Sequence, residues 1–240
     1  MAEGAGRENG ERPQMTGGPS SRGEVDKTPI FHALVLGGGE SSRMGEDKAL
    51  LAVGSEPLLK AATLGALAAG AQSVGVIAPE ATFRELFADA PDPRVWRALE
   101  DPPHGGPLAG VAAGFQALSG KVEAGETVPA PFVAVLACDL PGAPTALQQL
   151  TGVEVDAGTD GVVAVDEGGW DQPLLALYET AYLGQRFAEI ERETGVRNVA
   201  ARRLFDGGQF TRVALPAALT RDVDTRADIA EYALIEGVEL

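Results

Sequence analysis

The sequence predicts an α/β fold, a three-layer sandwich around a mostly parallel central sheet, and three observations carry that prediction. Short apolar runs bounded by glycine, proline or aspartate recur along the chain, as buried parallel strands do. Stretches with helical spacing alternate with them, the pattern of a sheet covered on both faces. The loop at Gly37, Asp101 and Asp139 each follow a predicted strand. Open sheets of this Rossmann-like kind bind ligands beyond the carboxyl ends of their strands.

Residues 1–29 are rich in Gly, Glu, Arg, Ser and Pro with almost nothing to bury, and are expected to form a disordered tail. Residues 30–240 are expected to form a single domain, a size one α/β unit accommodates. Its first strand is the apolar run at 30–36, which ends in three glycines. Residues 49–71, rich in Leu and Ala, are expected to be helical, with Pro57 marking a first turn. A strand at 73–78 stops at Pro79; a short helix at 82–88 and a weaker strand at 94–99 follow. Residues 107–118 predict a helix with proline at its first turn, and 119–130 a mobile polar loop. The clearest strand is 132–137, closed by Cys138-Asp139-Leu140-Pro141. Further strands are expected at 161–165, 174–178 and 210–215, and helices at 182–193, 199–205 and 226–236.

The totals exclude several classes of function. A net charge of −16 argues against binding nucleic acid or an anionic membrane. No apolar run approaches the roughly 18 residues that span a bilayer. The N-terminus lacks the apolar stretch of a signal peptide, and Cys138 is the only cysteine, so no disulfide framework or Cys-rich zinc site is possible. The expected location is the cytoplasm. An anionic substrate would need local compensation from amides, a few Lys or Arg, or a metal.

Two features offer that compensation. Gly37-Gly38-Gly39 lets the backbone turn sharply and bring amides close to an anion, helped by the start of the next helix. Arg43 and Lys48 add positive charge. The loop is neither GxxxxGK[ST], because Lys48 comes three residues after Gly45, nor GxGxxG. Asp139, at the end of a buried strand, either holds a hard cation by oxygen or caps the following turn.

The loop Leu36, Gly38, Gly39, Ser41, Arg43, Met44, Gly45, Asp47, Lys48 resembles the LxGGxSxRMGxDK signature of molybdenum cofactor guanylyltransferases and of MobA-like nucleotidyltransferases generally. The resemblance runs over residues 31–235. It implies a nucleotide-diphospho-sugar-transferase-like fold in which Leu36, Gly37, Gly38 and Gly39 wrap the nucleotide phosphates and Arg43 and Lys48 counter their charge. Gly37 stands where the family usually has alanine and is expected to loosen the loop. Ala137-Cys138-Asp139-Leu140-Pro141 is similar to the family's CDxP segment, which implies Mg2+ on Asp139. Gly106-Pro107-Leu108-Ala109-Gly110 matches its GPLAG element, which contacts base and ribose. Asp101 is the candidate for the aspartate that lines the same site, with Glu100 adjacent. Arg43, Lys48 and Asp139 are thereby the expected catalytic set.

In the second half, Trp170-Asp171-Gln172-Pro173-Leu174 resembles the segment facing the pterin substrate, with Gln172 the candidate contact. Arg197, Arg202 and Arg203 either meet the acceptor's terminal phosphate or form an exposed basic face. His104 is expected to be an exposed loop residue. Asp222-Val223-Asp224-Thr225 occupies the place of the family's N-x-N-T-P segment, making Asp224 (or Asp222) the candidate second metal ligand.

The implied reaction is transfer of GMP from GTP to the terminal phosphate of molybdopterin, releasing pyrophosphate. Gly38 and GPLAG favour GTP, whereas DVDT resembles the CTP-using relatives and Ala78 stands where some family members place a base-contacting Asn. The rivals are therefore a cytidylyltransferase, or another phosphate-accepting nucleotidyltransferase of the same fold, and a non-catalytic nucleotide- or cofactor-binding accessory protein. Molybdoenzymes or their chaperones are the expected protein partners.

Overall fold

The two faces of the first strand show how this sheet is built. The computed structural model describes residues 29–37, 47–156 and 158–237. Strand β1 (Phe31–Leu36) sends Phe31, Ala33 and Val35 into one apolar layer and Leu34 and Leu36 into the other. Successive side chains leave a strand on opposite faces, so a run apolar at nearly every position belongs to a sheet buried on both. Strands β4 (Val74–Ile77), β6 (Phe132–Ala137) and β7 (Gly161–Val165) have the same character.

With β5 (Val95–Ala98), β8 (Asp171–Glu179) and β9 (Thr211–Ala214) they form a seven-stranded sheet in the order β5-β4-β1-β6-β8-β7-β9. β1 pairs parallel with β4 and β6, bringing Leu36 level with Ile77 and Ala137. Among the described strands of this sheet, β8 alone runs against its neighbours. Its first residues therefore lie at the edge where the other strands end.

Helices α1 (Leu58–Ala68), α2 (Glu80–Phe87) and α4 (Ala143–Thr151) contribute to the apolar layer on one face. Helices α3 (Pro107–Glu123) and α5 (Thr180–Glu193) contribute to the layer on the other. The α/β sandwich with a mostly parallel sheet is thus the architecture observed. A small third cluster joins Leu51 and Leu58 to Val223, Ile229 and Tyr232, seating α7 (Arg226–Glu236) against the start of α1. The four-residue helix α6 (Ala217–Thr220) precedes it.

The structure revises several expectations. Residues 49–71 are not one helix. A 3-10 turn, Lys48–Leu50, is followed by a two-stranded ribbon, β2 (Ala52–Val53) with β3 (Glu56–Pro57), before α1 begins. Gly54, at φ 70°, makes the ribbon's tight turn, a conformation that glycine adopts without strain. The polar loop expected at 119–130 shortens to 124–130, because Leu118 and Val122 keep the helical spacing and pack on the core. Gly125, at φ 70°, follows the helix. Helix α4 has no counterpart among the expected elements, although Ala143, Ala146, Leu147 and Leu150 carry helical spacing. It approaches α1 closely where Gly65 meets Pro144: a Cβ on Gly65 would lie 2.5 Å from the proline Cβ. Residues 199–205 give only a 3-10 turn, Ala201–Phe205. The expected tail lies outside the described residues, apart from Pro29.

Candidate active site

Asp139 is delivered by β6, which ends at Ala137, to the carboxyl edge of the sheet. Burial holds its carboxyl above the usual aspartate range; the Lys48 ammonium opposes that shift, and Asp222 and Asp224 add to it. A carboxylate kept in this condition is one that a cation would stabilise. Cys138 beside it is buried, and burial, then Asp139 and Asp47, push its thiol up, so it is not a nucleophile.

Lys48 lies in the 3-10 turn, and Asp47 fixes that turn. One Asp47 oxygen accepts from the amide of Ala49 at 3.1 Å, and the other accepts from the hydroxyl of Thr82 at 2.8 Å. The Lys48 ammonium ion-pairs with Asp224. Partial burial would lower its pKa, but that hydrogen bond and the charges of Asp224, Asp139 and Asp222 outweigh it, and the net shift is upward. Lys48 is a permanent cation amid three carboxylates.

Asp224 is held by its own helix start. Asp228 accepts from the amides of Asp224 at 2.9 Å and Thr225 at 2.7 Å, while its own amide donates to the Thr225 hydroxyl at 3.1 Å. This is a capping box at the head of α7. The amide of Val223 donates to the carbonyl of Asp139 at 2.8 Å, which locks the 222–224 segment beside the β6 end. Sequence reasoning missed Asp47, Thr82 and Asp228 as positioning residues. The Thr225-x-x-Asp228 spacing before a helix was the available signal for the last.

The other predicted residues divide by depth. Leu36 and Leu108 are core side chains, and the carbonyl of Leu36 accepts from the amide of Cys138 at 3.0 Å. These two shape the site rather than offer it a polar group. The amide of Gly37 donates to the carbonyl of Ile77 at 2.9 Å, and a Cβ at this position would lie 2.7 Å from Leu59 Cδ1 and closer still to Cδ2. A side chain at this position therefore requires Leu59 to move. Gly38, Gly39 and Arg43 lie outside the described residues.

Gly106, at φ 84°, caps α3, and Pro107 opens it, so the first amides of a 17-residue helix face the carboxyl edge. Asp101 is exposed, while Glu100 accepts from the amide of Gly105 at 3.2 Å and so fixes the loop. His104, at φ 65°, is exposed as expected. Gln172, at the start of β8, donates to Asp166 at 2.8 Å. Its neighbour Asp171 holds Arg212 through two 2.8 Å hydrogen bonds. Arg203 pairs with Glu193 and Asp206, Arg197 donates to backbone carbonyls, and Arg202 is exposed. Ala78 is buried, with its amide donating to Ala98 and its carbonyl accepting from Arg97, so it offers no group to a base.

Among the described residues, no cluster of three or more His, Cys, Asp or Glu forms a closed metal cage. Magnesium does not need one: one or two carboxylates suffice when water and phosphate oxygens complete the shell. Asp139 and Asp224, both acting on Lys48, fit that requirement. The edge presents a fixed cation, a desolvated carboxylate and a helix N-terminus, a set suited to charge on a polyphosphate.

Residues 33–207 match the family model of the MobA-like NTP transferase domain. The chain belongs to that family. A "Probable molybdenum cofactor guanylyltransferase" of Synechococcus elongatus is 35% identical over 155 residues, 63% of this chain and 73% of that one. Among solved structures, Rv0371c of Mycobacterium tuberculosis H37Rv superposes with a TM-score of 0.61 at 20% identity, covering 87% of this chain and 99% of that one. Molybdopterin-guanine dinucleotide biosynthesis protein A of Archaeoglobus fulgidus does so at 0.57 and 16%, covering 87% and 99%. At those identities the structures share the fold alone. Family membership makes this MobA-like chain a nucleotidyltransferase, and no helix among its described residues is long and apolar enough to cross a membrane.

Proposed function

We propose that the chain transfers GMP from GTP to the terminal phosphate of molybdopterin, releasing pyrophosphate and giving the guanine dinucleotide form of the cofactor. The observation that carries this reading is the convergence of Lys48, Asp139 and Asp224, from three distant segments, at the sheet edge. It is supported by the activity named for the 35% identical relative.

A phosphate oxygen of the acceptor attacks the α-phosphorus of GTP, and the bond from that phosphorus to the bridging oxygen breaks as pyrophosphate leaves. The acceptor supplies the nucleophile, so the protein's task is positioning and charge neutralisation. Lys48, with Arg43 of the glycine loop, sets positive charge against the triphosphate. Gly38 and Gly39 lend backbone, with Gly37 anchoring them to the sheet through its bond to Ile77, and the α3 terminus, through Gly106 and Pro107, faces the nucleoside with Asp101 at its border. Asp139, with Asp224, would hold Mg2+, which when bound supplies charge at the α-phosphate and steadies the pyrophosphate. Gln172, across the edge on β8, faces the pterin. The reaction belongs to the cytoplasm, with molybdoenzymes or their chaperones receiving the product.

Asp222-Val223-Asp224-Thr225 favours a second reading, in which CTP is the donor. The deciding experiment measures pyrophosphate release from GTP and from CTP with magnesium and molybdopterin. Release from GTP alone supports the guanylyltransferase. Release from CTP alone replaces it with a cytidylyltransferase, and release from neither leaves another phosphate-accepting nucleotidyltransferase of the same fold.

A further inference from the structure

The strongest unassigned feature is the way residues 195–198 grip the loop in front of α3. The Arg197 guanidinium donates to the carbonyl of Pro102 through Nη1 and to that of Pro103 through Nη2, the latter at 3.2 Å. It passes directly beneath Gly105, where a Cβ would lie 2.8 Å from Arg197 Nη1 and 3.1 Å from its Cζ. The next residue continues the contact: the amide of Asn198 donates to the carbonyl of Gly105 at 2.6 Å. Two residues meet here in the left-handed region, Asn198 at φ 57° and Gly106 at φ 84°. Gly106 is the residue that caps α3.

We propose that Arg197 is a positioning residue for the nucleotide: it sets the 102–106 loop, and with it the α3 terminus, before any ligand arrives. The sequence left open a direct contact with the acceptor phosphate. The observed geometry instead commits both guanidinium arms to main-chain oxygens of the loop. A guanidinium presents parallel donors in a rigid fork, which matches two successive carbonyls as a lysine cannot. The 195–198 segment leads out of α5, on the second half of the chain, so this clamp makes the nucleotide loop's shape depend on residues distant in sequence. Preorganisation of this kind appears as binding affinity, because the ordering cost is met during folding. The inference rests on the reading that this loop lines the nucleotide site.

The test compares Arg197→Ala, Arg197→Lys and the wild-type chain. Amide hydrogen exchange over residues 103–110 is measured without ligand. GTP affinity is measured without acceptor, by displacement of a fluorescent GTP analogue. The expected result is faster exchange at 103–110 and about tenfold weaker GTP binding in Arg197→Ala, the order expected from losing one or two charge-assisted hydrogen bonds. Arg197→Lys recovers part of both, and KM for the acceptor stays within experimental error. Unchanged exchange overturns the clamp. Faster exchange with unchanged GTP affinity overturns the nucleotide role of the loop while leaving the clamp in place. An effect confined to the acceptor KM overturns the proposal in favour of a phosphate ligand. Because Arg197→Lys keeps the charge, it remains informative if Arg197→Ala folds poorly.

Discussion

Lys48 and Asp224, 176 positions apart in sequence, are joined by a direct ion pair at the carboxyl edge of the sheet. Asp139 and Asp222 act on the same ammonium. The lysine thus occupies the centre of a carboxylate group that would otherwise repel itself. Two different devices hold the pair in place, the Asp47–Thr82 anchor on one side and the α7 capping box on the other.

Replacing Lys48 by alanine removes the cation that sits among these carboxylates. The ratio kcat/KM is expected to fall about 10²- to 10³-fold, the range for deleting one preorganised charged donor. Most of the loss should lie in nucleotide KM, and initial-rate kinetics over a range of GTP at saturating magnesium checks it. Unchanged kinetics would remove Lys48 from the phosphate site.

Asp139→Asn separates activity from stability. The Asp139 pKa is raised in the folded chain chiefly by burial, so the unfolded chain ionises at lower pH. Stability from the protonated form is fully present below the unfolded pKa and is lost as pH rises through the folded one. At neutral pH the ionised carboxylate therefore weakens the fold. Asp139→Asn is expected to raise Tm at neutral pH, with the gap closing as pH drops below about 4, the ordinary aspartate value. Turnover should fall at least about 10²-fold. Magnesium with GTP should stabilise the wild type more than the variant. Thermal melts across pH, with and without MgGTP, read both stability effects, and a pyrophosphate assay reads the third.

A methyl group at position 37 requires the buried Leu59 side chain to shift. Gly37→Ala is expected to destabilise the chain by about 1–3 kcal/mol, the usual cost of overpacking. The double variant Gly37→Ala, Leu59→Val should regain part of it. Urea denaturation of the two singles and the double gives the coupling. Additive losses would mean the collision is relieved elsewhere.

His32 makes the fold acid-sensitive away from the catalytic edge. Its Nδ1 accepts from Ser73 at 2.9 Å, its Nε2 donates to the carbonyl of Val128 at 2.8 Å, and Trp96 Nε1 donates to Ser73 at 3.3 Å. Burial lowers its pKa, against the opposing hydrogen bond to Val128. A lowered pKa means the unfolded chain takes up the proton first. Stability is therefore fully present above the ordinary histidine value of about 6.5 and falls as pH drops through the folded value. Below about pH 6.5, Tm should decline more steeply in the wild type than in His32→Gln. Parallel profiles would contradict this.

The sheet was legible in the sequence because strands buried on both faces leave unbroken apolar runs: 30–36, 73–78 and 132–137 each coincide with a strand to within about two residues. Asp139 and Lys48 were legible because their motifs sit at strand ends. The failure at residues 49–71 has a different origin. Leucine and alanine dominate that stretch, and their richness hid the Gly54 turn between two strands of two residues each. Arg197 could not be assigned from sequence, since its partners are main-chain carbonyls whose direction depends on the folded 102–103 loop. Local patterns report what a segment buries, and only the tertiary fold reports which carbonyls remain to be satisfied.

The reversal of β8 divides the labour of the crevice. Asp139 and Asp224 hang from a strand end and a helix start that the core fixes in place. The other side begins in the exposed hairpin turn at 166–170, with Gly168 and Gly169 at its tip, Trp170 closing it against Asp166 and Gln172 just inside. An enzyme on this frame can therefore rewrite that hairpin without disturbing the residues gathered around Lys48 and Asp139.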